Sequence, residues 1–388
     1  MELVQEKYIQ TEVGMIPSDW EIIKLEENVT LKARIGWQGL TTAEYLNSGD
    51  YCLVTGTDFV NGFIVWDNCV FVEKNRFDQD KNIQLNVEDV LVTKDGTIGK
   101  VAFVDEISKP TTLNSGVFVL RPKSPKIHNR FLYYVLMSFY FDDFLNKITA
   151  GSTITHLYQK DFVHFKFALP SLKEQTEIAT ALSDADNWIN SLKQLIAKKR
   201  LIKQGAMQEL LKPKQGWEIK KLGEIALTIS SGTSDTVNDG ELFPIQGSTS
   251  IIGYKNYYDY SGNNITVARV GANAGFIRKI SGKYCVSDNT LIVSLNKQNC
   301  ELDFIFFSLK NKNLSSLVFG SGQPLITGGQ LKELEINIPN SIAEQTRIAT
   351  ILSNMDAEIT ALEEKLEKAK QVKLGMMQEL LTGRIRLM

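Results

Sequence analysis

Glu174-Gln175-Thr176-Glu177-Ile178-Ala179-Thr180-Ala181-Leu182-Ser183 returns 170 positions later as Glu344-Gln345-Thr346-Arg347-Ile348-Ala349-Thr350-Ile351-Leu352-Ser353. The likeness runs on to Gly205-Ala206-Met207-Gln208-Glu209-Leu210-Leu211 and Gly375-Met376-Met377-Gln378-Glu379-Leu380-Leu381, with about half the positions identical and no gap. A duplication this strong implies two equivalent structural units related by a pseudo-two-fold axis.

Each copy opens as a helix. Ser171-Leu172-Lys173-Glu174 and Ser341-Ile342-Ala343-Glu344 fit the S-x-x-E capping box, in which serine accepts an orphan amide and glutamate reaches back to the cap. A heptad follows. The first seam is Ile178, Leu182, Ala185, Ile189, Leu192, Ile196, with a break at Lys199; the second is Ile348, Leu352, Met355, Ile359, Leu362, Leu366, Ala369. Such a 3.5-residue period predicts a left-handed coiled coil. Each seam's natural partner is the other copy, and a two-fold axis across the pair makes the helices antiparallel. Unbroken, each would reach about 60 Å. Gly205 and Gly375 are candidate interruptions. Pro213 suits the end of the first helix and Gly383 the end of the second.

Outward from the helices the texture changes to short apolar alternations and Gly/Asn/Asp/Ser turns, which predict mixed α/β structure. The expected segments are 1–170, a first domain; 171–212, the first helix; 213–339, a second domain; and 340–388, the second helix. Both domains open alike, at Trp20-Glu21-Ile22-Ile23-Lys24-Leu25 and Trp217-Glu218-Ile219-Lys220-Lys221-Leu222. Both close on a strand ending in proline, at Phe165-Lys166-Phe167-Ala168-Leu169-Pro170 and Leu334-Glu335-Ile336-Asn337-Ile338-Pro339. Both carry glycines after a basic residue, in Lys94-Asp95-Gly96-Thr97-Ile98-Gly99 and Arg269-Val270-Gly271-Ala272-Asn273-Ala274-Gly275. Elsewhere the domains diverge. The fold class is therefore α+β: two mixed α/β domains and two long helices packed as an antiparallel coiled coil.

The 388 residues carry a formal charge of −2, with 43% hydrophobic and 23% charged residues, as in ordinary globular proteins. A neutral balance counts mildly against a nucleic-acid partner but leaves room for local basic surfaces. Four cysteines without C-x-x-C spacing read as buried thiols of a cytoplasmic protein, and three histidines leave little material for a metal site or a histidine triad. No apolar run approaches the roughly 20 residues that a membrane span needs. Gly96-Thr97-Ile98-Gly99-Lys100 lacks the spacing of a phosphate loop. No dinucleotide fingerprint and no methyltransferase Asn/Asp-Pro-Pro-Tyr motif occurs. The chain reads as non-catalytic, without a metal or cofactor of its own.

Thr11-Glu12-Val13-Gly14-Met15-Ile16-Pro17-Ser18-Asp19-Trp20-Glu21 with Lys24-Leu25, the two Glu-Gln segments following Pro170 and Pro339, and the terminal run from Met377 to Leu387 resemble type I restriction-modification specificity (S) subunits. The resemblance covers the whole chain. It implies two target-recognition domains, each reading half of a bipartite DNA sequence. It also implies that the repeat helices hold those domains apart and dock two methyltransferase (M) subunits carrying S-adenosylmethionine, with a restriction (R) subunit adding ATP-driven cleavage. Read without the resemblance, near-copied helices do one job twice, such as spacing and binding two copies of one partner, and divergent domains do related but different jobs, such as reading two different half-sites. The alternative is a non-enzymatic coiled-coil scaffold whose domains bind proteins and not DNA.

Base and phosphate contacts need Lys, Arg, Asn, Gln, Ser or Thr near turns. The candidates are Lys94, Thr97, Lys100, Asn114, Thr153, Thr155 and Gln159 in the first domain, and Arg269, Asn273, Arg278, Ser287, Asn289, Ser321 and Gln323 in the second. Each can also be read as a turn residue capping its own backbone. Phe139-Tyr140-Phe141 and Tyr257-Tyr258-Asp259-Tyr260 offer rings either for base stacking or for packing. Lys198, Lys199, Arg200 and Lys203 either face phosphate or pair with Glu363, Glu364 or Glu367 of the other helix.

Overall fold

The computed structural model describes residues 8–149, 156–235, 237–296, 298, 300–320 and 324–387. Two long helices dominate, Leu172–Leu210 and Ile342–Leu380, each continuous for 39 residues. Gly205 and Gly375 do not interrupt them: at both positions the space where a Cβ would sit is open, and the flanking turns carry the helix through.

The chain divides into two compact units that do not follow sequence order. The first is Met1–Ser191 with Leu366–Met388; the second is Leu192–Lys365. Each therefore contains a stretch of both helices.

In the first unit a six-stranded sheet runs in the order Val29–Ala33, Val117–Pro122, Val90–Thr93, Val101–Phe103, Phe63–Ile64, Phe59–Val60. Beside it Tyr51–Val54 lies between a parallel neighbour, Thr111–Leu113, and an antiparallel one, Val70–Val72. Lys166–Leu169 pairs antiparallel with Glu21–Lys24, so the domain's last strand lies on its first. The helix Asn129–Leu136 buries six consecutive side chains, Phe131 to Leu136. Ile178, Ala179 and Leu182 of the first long helix share the same core with Met377, Leu380 and Leu381 of the second.

The second unit repeats the plan with fewer strands. Its first sheet is Ala226–Ser231, Thr290–Leu295, Asn264–Ala268, Ile277–Ile280, and its second is Ile251–Lys255, Phe243–Gln246, Lys283–Val286, Tyr260–Ser261. Phe243–Gln246 and Lys283–Val286 form the parallel pair. Trp217–Lys221 pairs antiparallel with Glu335–Pro339. The helix Leu302–Asn311 packs as Asn129–Leu136 does, and Leu211 joins Ile348, Ala349 and Leu352 in the core. The domains are thus much closer relatives than their sequences indicate.

Within each unit the helices run antiparallel. In the first, Tyr134 hydroxyl donates to Asp186 (2.9 Å), and Lys373 donates to the other oxygen of Asp186 (2.6 Å). In the second, Lys203 pairs with Asp356. Position 356 is the repeat of 186 and position 373 the repeat of 203, so one contact is made twice with the copies exchanged. Such reciprocity is the signature of an isologous two-fold interface. Of the seam, Ile178, Leu182, Ile189, Leu192, Ile196, Ile348, Leu352 and Ile359 are buried, while Met355, Leu362 and Leu366 are half-buried. The seam does not stop at Lys199. That residue pairs with Glu358 (2.6 Å), and heptad spacing resumes at the buried Lys203. Lysine stems can line such a seam because they are long and apolar, with the charge at the tip.

Candidate nucleic-acid interface

The Glu-Gln motif shows why the sequence repeats itself. Gln175 is fully buried; its Oε1 accepts from the amide of His128 (2.9 Å) and its Nε2 donates to Pro170 carbonyl (2.9 Å). Gln345 does the same for Glu301 amide (2.9 Å) and Pro339 carbonyl (2.9 Å). One side chain thus joins the closing strand, the long helix and the start of the domain's packed helix. Ser171 and Ser341 accept from the amides of Glu174 (3.3 Å) and Glu344 (3.4 Å), which is the serine half of the capping box. The glutamate half of the box is not formed in either copy: among the described residues no carboxylate bond to the amide of Ser171 or Ser341 occurs, and the Glu174 carboxylate accepts instead from Trp20 Nε1 (3.2 Å) and from Arg386 (2.5 and 2.8 Å), which also holds Asp19. That guanidinium lowers the Asp19 carboxyl below its ordinary range. Trp217 Nε1, the counterpart of Trp20, is buried without a partner among the described residues.

The frame presents a glycine turn at the same place in each unit. In the first, Lys94 amide donates to Gly116 carbonyl (2.8 Å), and Lys94 carbonyl accepts from Leu157 amide (2.7 Å). Thr93 closes the turn, donating to Thr97 carbonyl (2.6 Å) and accepting from Lys100 amide (2.9 Å). Gly96 and Gly99 take positive φ there, which glycine adopts without strain. The turn borders a cleft of about 360 Å³ that gathers Thr97, Lys100 and Asn114 with Tyr45, Thr55, Thr57 and Asp95. Asn114 Nδ2 donates to Tyr45 hydroxyl (2.9 Å), and Thr55 and Thr57 hydroxyls lie 2.7 Å apart. Buried Asp58 accepts from the amide and the hydroxyl of Thr55 (2.7 and 3.0 Å), and its burial raises its own carboxyl.

In the second unit Arg269 occupies the place of Lys94. Its amide donates to Asn289 carbonyl (3.0 Å), its carbonyl accepts from Ile326 amide (2.8 Å), and its Nη1 donates to Asp288 carbonyl (3.3 Å). Ser287 hydroxyl accepts from Asn289 amide (3.2 Å) and stands at the position of Asn114. Arg269, Ser287 and Asn289 are therefore one cluster, joined by Ser248, whose hydroxyl donates to Asn289 carbonyl (3.1 Å). Asn273 is exposed in the adjoining glycine turn. Arg278 lies on the strand Ile277–Ile280, half-buried, with Nη1 enclosed and unpartnered among the described residues.

Other candidates fall elsewhere. Lys94 Nζ lies over the Phe118 ring (5.4 Å), outside the cleft lining. Gln159 is exposed at the start of the short helix Gln159–Phe162. Thr153, Thr155, Ser321 and Gln323 lie outside the described residues. Phe141 is fully buried among Phe162, Phe165 and Phe144, whereas Phe139, Tyr257 and Tyr258 are exposed. Three of the four basic helix residues make ion pairs: Arg200 donates to Glu363 (2.6 Å), and Lys199 and Lys203 pair with Glu358 and Asp356, not with Glu364 or Glu367, while Lys198 is exposed. Tyr45, Thr55, Thr57 and Asp95 escaped the sequence reading because only folding brings them to Asn114. The Thr55-Gly56-Thr57 turn after an apolar strand was the available signal.

No group of residues able to hold a metal ion occurs among the described residues, and none of their helices is long and apolar enough to cross a membrane.

This duplicated mixed α/β frame with two antiparallel helices has relatives. Residues 17–201 and 214–371 match the family described as type I restriction modification DNA specificity domain. The chain is 26% identical, over 98% of its length and 97% of the relative's, to a protein of Methanocaldococcus jannaschii described as the MjaX type I restriction enzyme specificity subunit. It is 25% identical, over 96% of its length and 94% of the relative's, to the MjaVIII specificity subunit of the same organism. A solved type I restriction-modification S subunit from M. genitalium shares the fold, with a TM-score of 0.65 and 16% identity over 98% of both chains. The chain belongs to the type I restriction-modification DNA specificity family. It is a specificity subunit, non-catalytic in itself.

Proposed function

We propose that this chain recognises a bipartite duplex DNA target, one unit per half-site, and docks two methyltransferase subunits through its repeat helices. Where a restriction subunit exists it joins the same assembly, and S-adenosylmethionine and ATP belong to those partners. The observation that carries this reading is one frame built twice with different side chains at its glycine turns. Lys100, Thr97 and Asn114 stand in one unit; Arg269, Ser287 and Asn289 stand in the other. Cations and turn hydroxyls suit phosphates, and amide side chains suit base edges. The exchanged Asp–Lys pair supports the docking half of the reading, because two equivalent helix surfaces fit two copies of one partner.

The chain's mild negative charge favours the competing reading, a scaffold that joins protein-binding domains. A gel shift with the methyltransferase partner, scanned over salt, decides between them. DNA recognition requires binding that weakens steeply as salt rises, through counterion release. Absence of binding to any duplex, or binding indifferent to salt, favours the scaffold.

A further inference from the structure

We propose that Asp95 is a base-reading residue of the first unit, and that the base it reads is a cytosine, through the exocyclic N4 amino group. This rests on the reading of the unit as a half-site reader.

Asp95 is the carboxylate in a cleft otherwise lined by hydroxyls, an amide and Lys100. Its side chain is 43% exposed, so it meets whatever fills the cleft. Facing a polyanion, a carboxylate is unfavourable unless it finds a donor when water leaves. The fold does not need it there. Asp95 and His156 form an isolated antiparallel bridge, and the same bridge in the second unit joins Val270 and Leu325. The main-chain bonds around Lys94 and Arg269 are alike, so an aliphatic pair serves the backbone equally well.

The carboxylate is also held ready. Nδ1 of His156 is bonded to Oδ1 of Asp95, and the His156 ring packs against Tyr158 with centroids 4.5 Å apart. Oδ2 has no partner among the described residues. Gly116 stands beside it: a Cβ there would lie 3.6 Å from Oδ2, and a longer side chain would cover the oxygen. The counterpart of Gly116 in the second unit is Asn289.

In the major groove the base donors are cytosine N4 and adenine N6. Adenine N6 sits beside the N7 acceptor, whose lone pair repels a carboxylate. Cytosine N4 sits beside a C5–H, which does not. A single free carboxylate oxygen therefore selects cytosine.

The test is selection of duplexes from a randomised library by the full chain in complex with its methyltransferase subunits, followed by sequencing. The wild type should enrich a bipartite sequence with a cytosine in one half-site. Asp95→Asn should cut the preference for that cytosine over adenine by about tenfold or reverse it, because an amide both donates and accepts as adenine requires. The double substitution Asp95→Val with His156→Leu, which copies the second unit, should leave that position unselective and every other position unchanged. If both variants enrich the wild-type sequence at every position, the assignment to Asp95 is wrong while half-site reading stands. If both lose all binding, Asp95 is structural and the proposal is overturned. If the wild type itself enriches no sequence, half-site reading fails and this inference falls with it.

Discussion

A single buried glutamine does the connecting work in each unit. Replacing Gln175 by Leu leaves His128 amide and Pro170 carbonyl without their partner. Stranded buried groups cost about 1–3 kcal/mol each, so a loss of roughly 2–6 kcal/mol is expected. Gln345→Leu should cost no more, because Gln345 lacks the further bond that Gln175 Nε2 donates to Lys126 carbonyl (3.0 Å), and urea unfolding followed in each variant measures both. His128 adds a pH dependence. Burial lowers its imidazole, and its Nδ1 is enclosed without a partner among the described residues. The folded form thus binds the proton less readily than the unfolded chain. Stability is therefore complete above the unfolded value of about 6.5 and is lost as pH falls from there toward the lowered folded value. His128→Gln should flatten the fall of stability as pH drops below about 6.5; an unchanged slope in thermal melts would assign that dependence elsewhere. Glu301, at the matching place in the second unit, is raised by burial and acts in the opposite sense, favouring the fold when protonated.

At the scale of elements, the long helices combine a local pattern with a few polar ties. Their apolar seam is ordinary heptad packing, and burying each Leu or Ile contributes about 1.5–3 kcal/mol. Asp186 is different. Its side chain is 12% exposed and Lys373's is 14%, so the pair is largely removed from water. Asp186→Ala alone strands Lys373 and leaves the Tyr134 hydroxyl with Ser183 Oγ (3.2 Å), and should cost roughly 3–5 kcal/mol. Asp186→Leu with Lys373→Met replaces the pair by apolar groups and should recover most of that loss. A double-mutant cycle by chemical unfolding, closed with Asp186→Leu and Lys373→Met alone, checks both; a double-variant loss equal to the sum of those two single losses would show that the pair is not coupled. Lys203 and Asp356, more open on the aspartate side, should show a smaller cycle energy.

For the molecule as a whole, the repeat matters more than either unit. Both helices continue through 39 residues, so a heptad added to each lengthens both by about 10 Å without changing the seam. If the helices set the spacing of a bipartite target, that insertion should add roughly three base pairs to the spacer and leave both half-site sequences as they were. Methylation mapping in cells carrying the lengthened chain with its methyltransferase reads this directly. Altered half-sites at unchanged spacing would refute the ruler.

The sequence alone determined the duplication, the two helices and their starts, the antiparallel pairing of their seams and the family. These are written in short-range periodicity and in repeated residues, and a heptad or a serine cap acts through neighbours three and four positions away. Only the tertiary structure decided which polar side chains share a cleft. Tyr45 reaches Asn114 and His156 reaches Asp95 across long stretches of chain, through strand order and loop closure, and no local pattern encodes such meetings. It also decided that the compact units cut across the sequence, and that Lys203 belongs to the seam. An aspartate repeated at 186 and 356 and a lysine repeated at 203 and 373 were visible from the start, but only burial and antiparallel packing make them reciprocal partners.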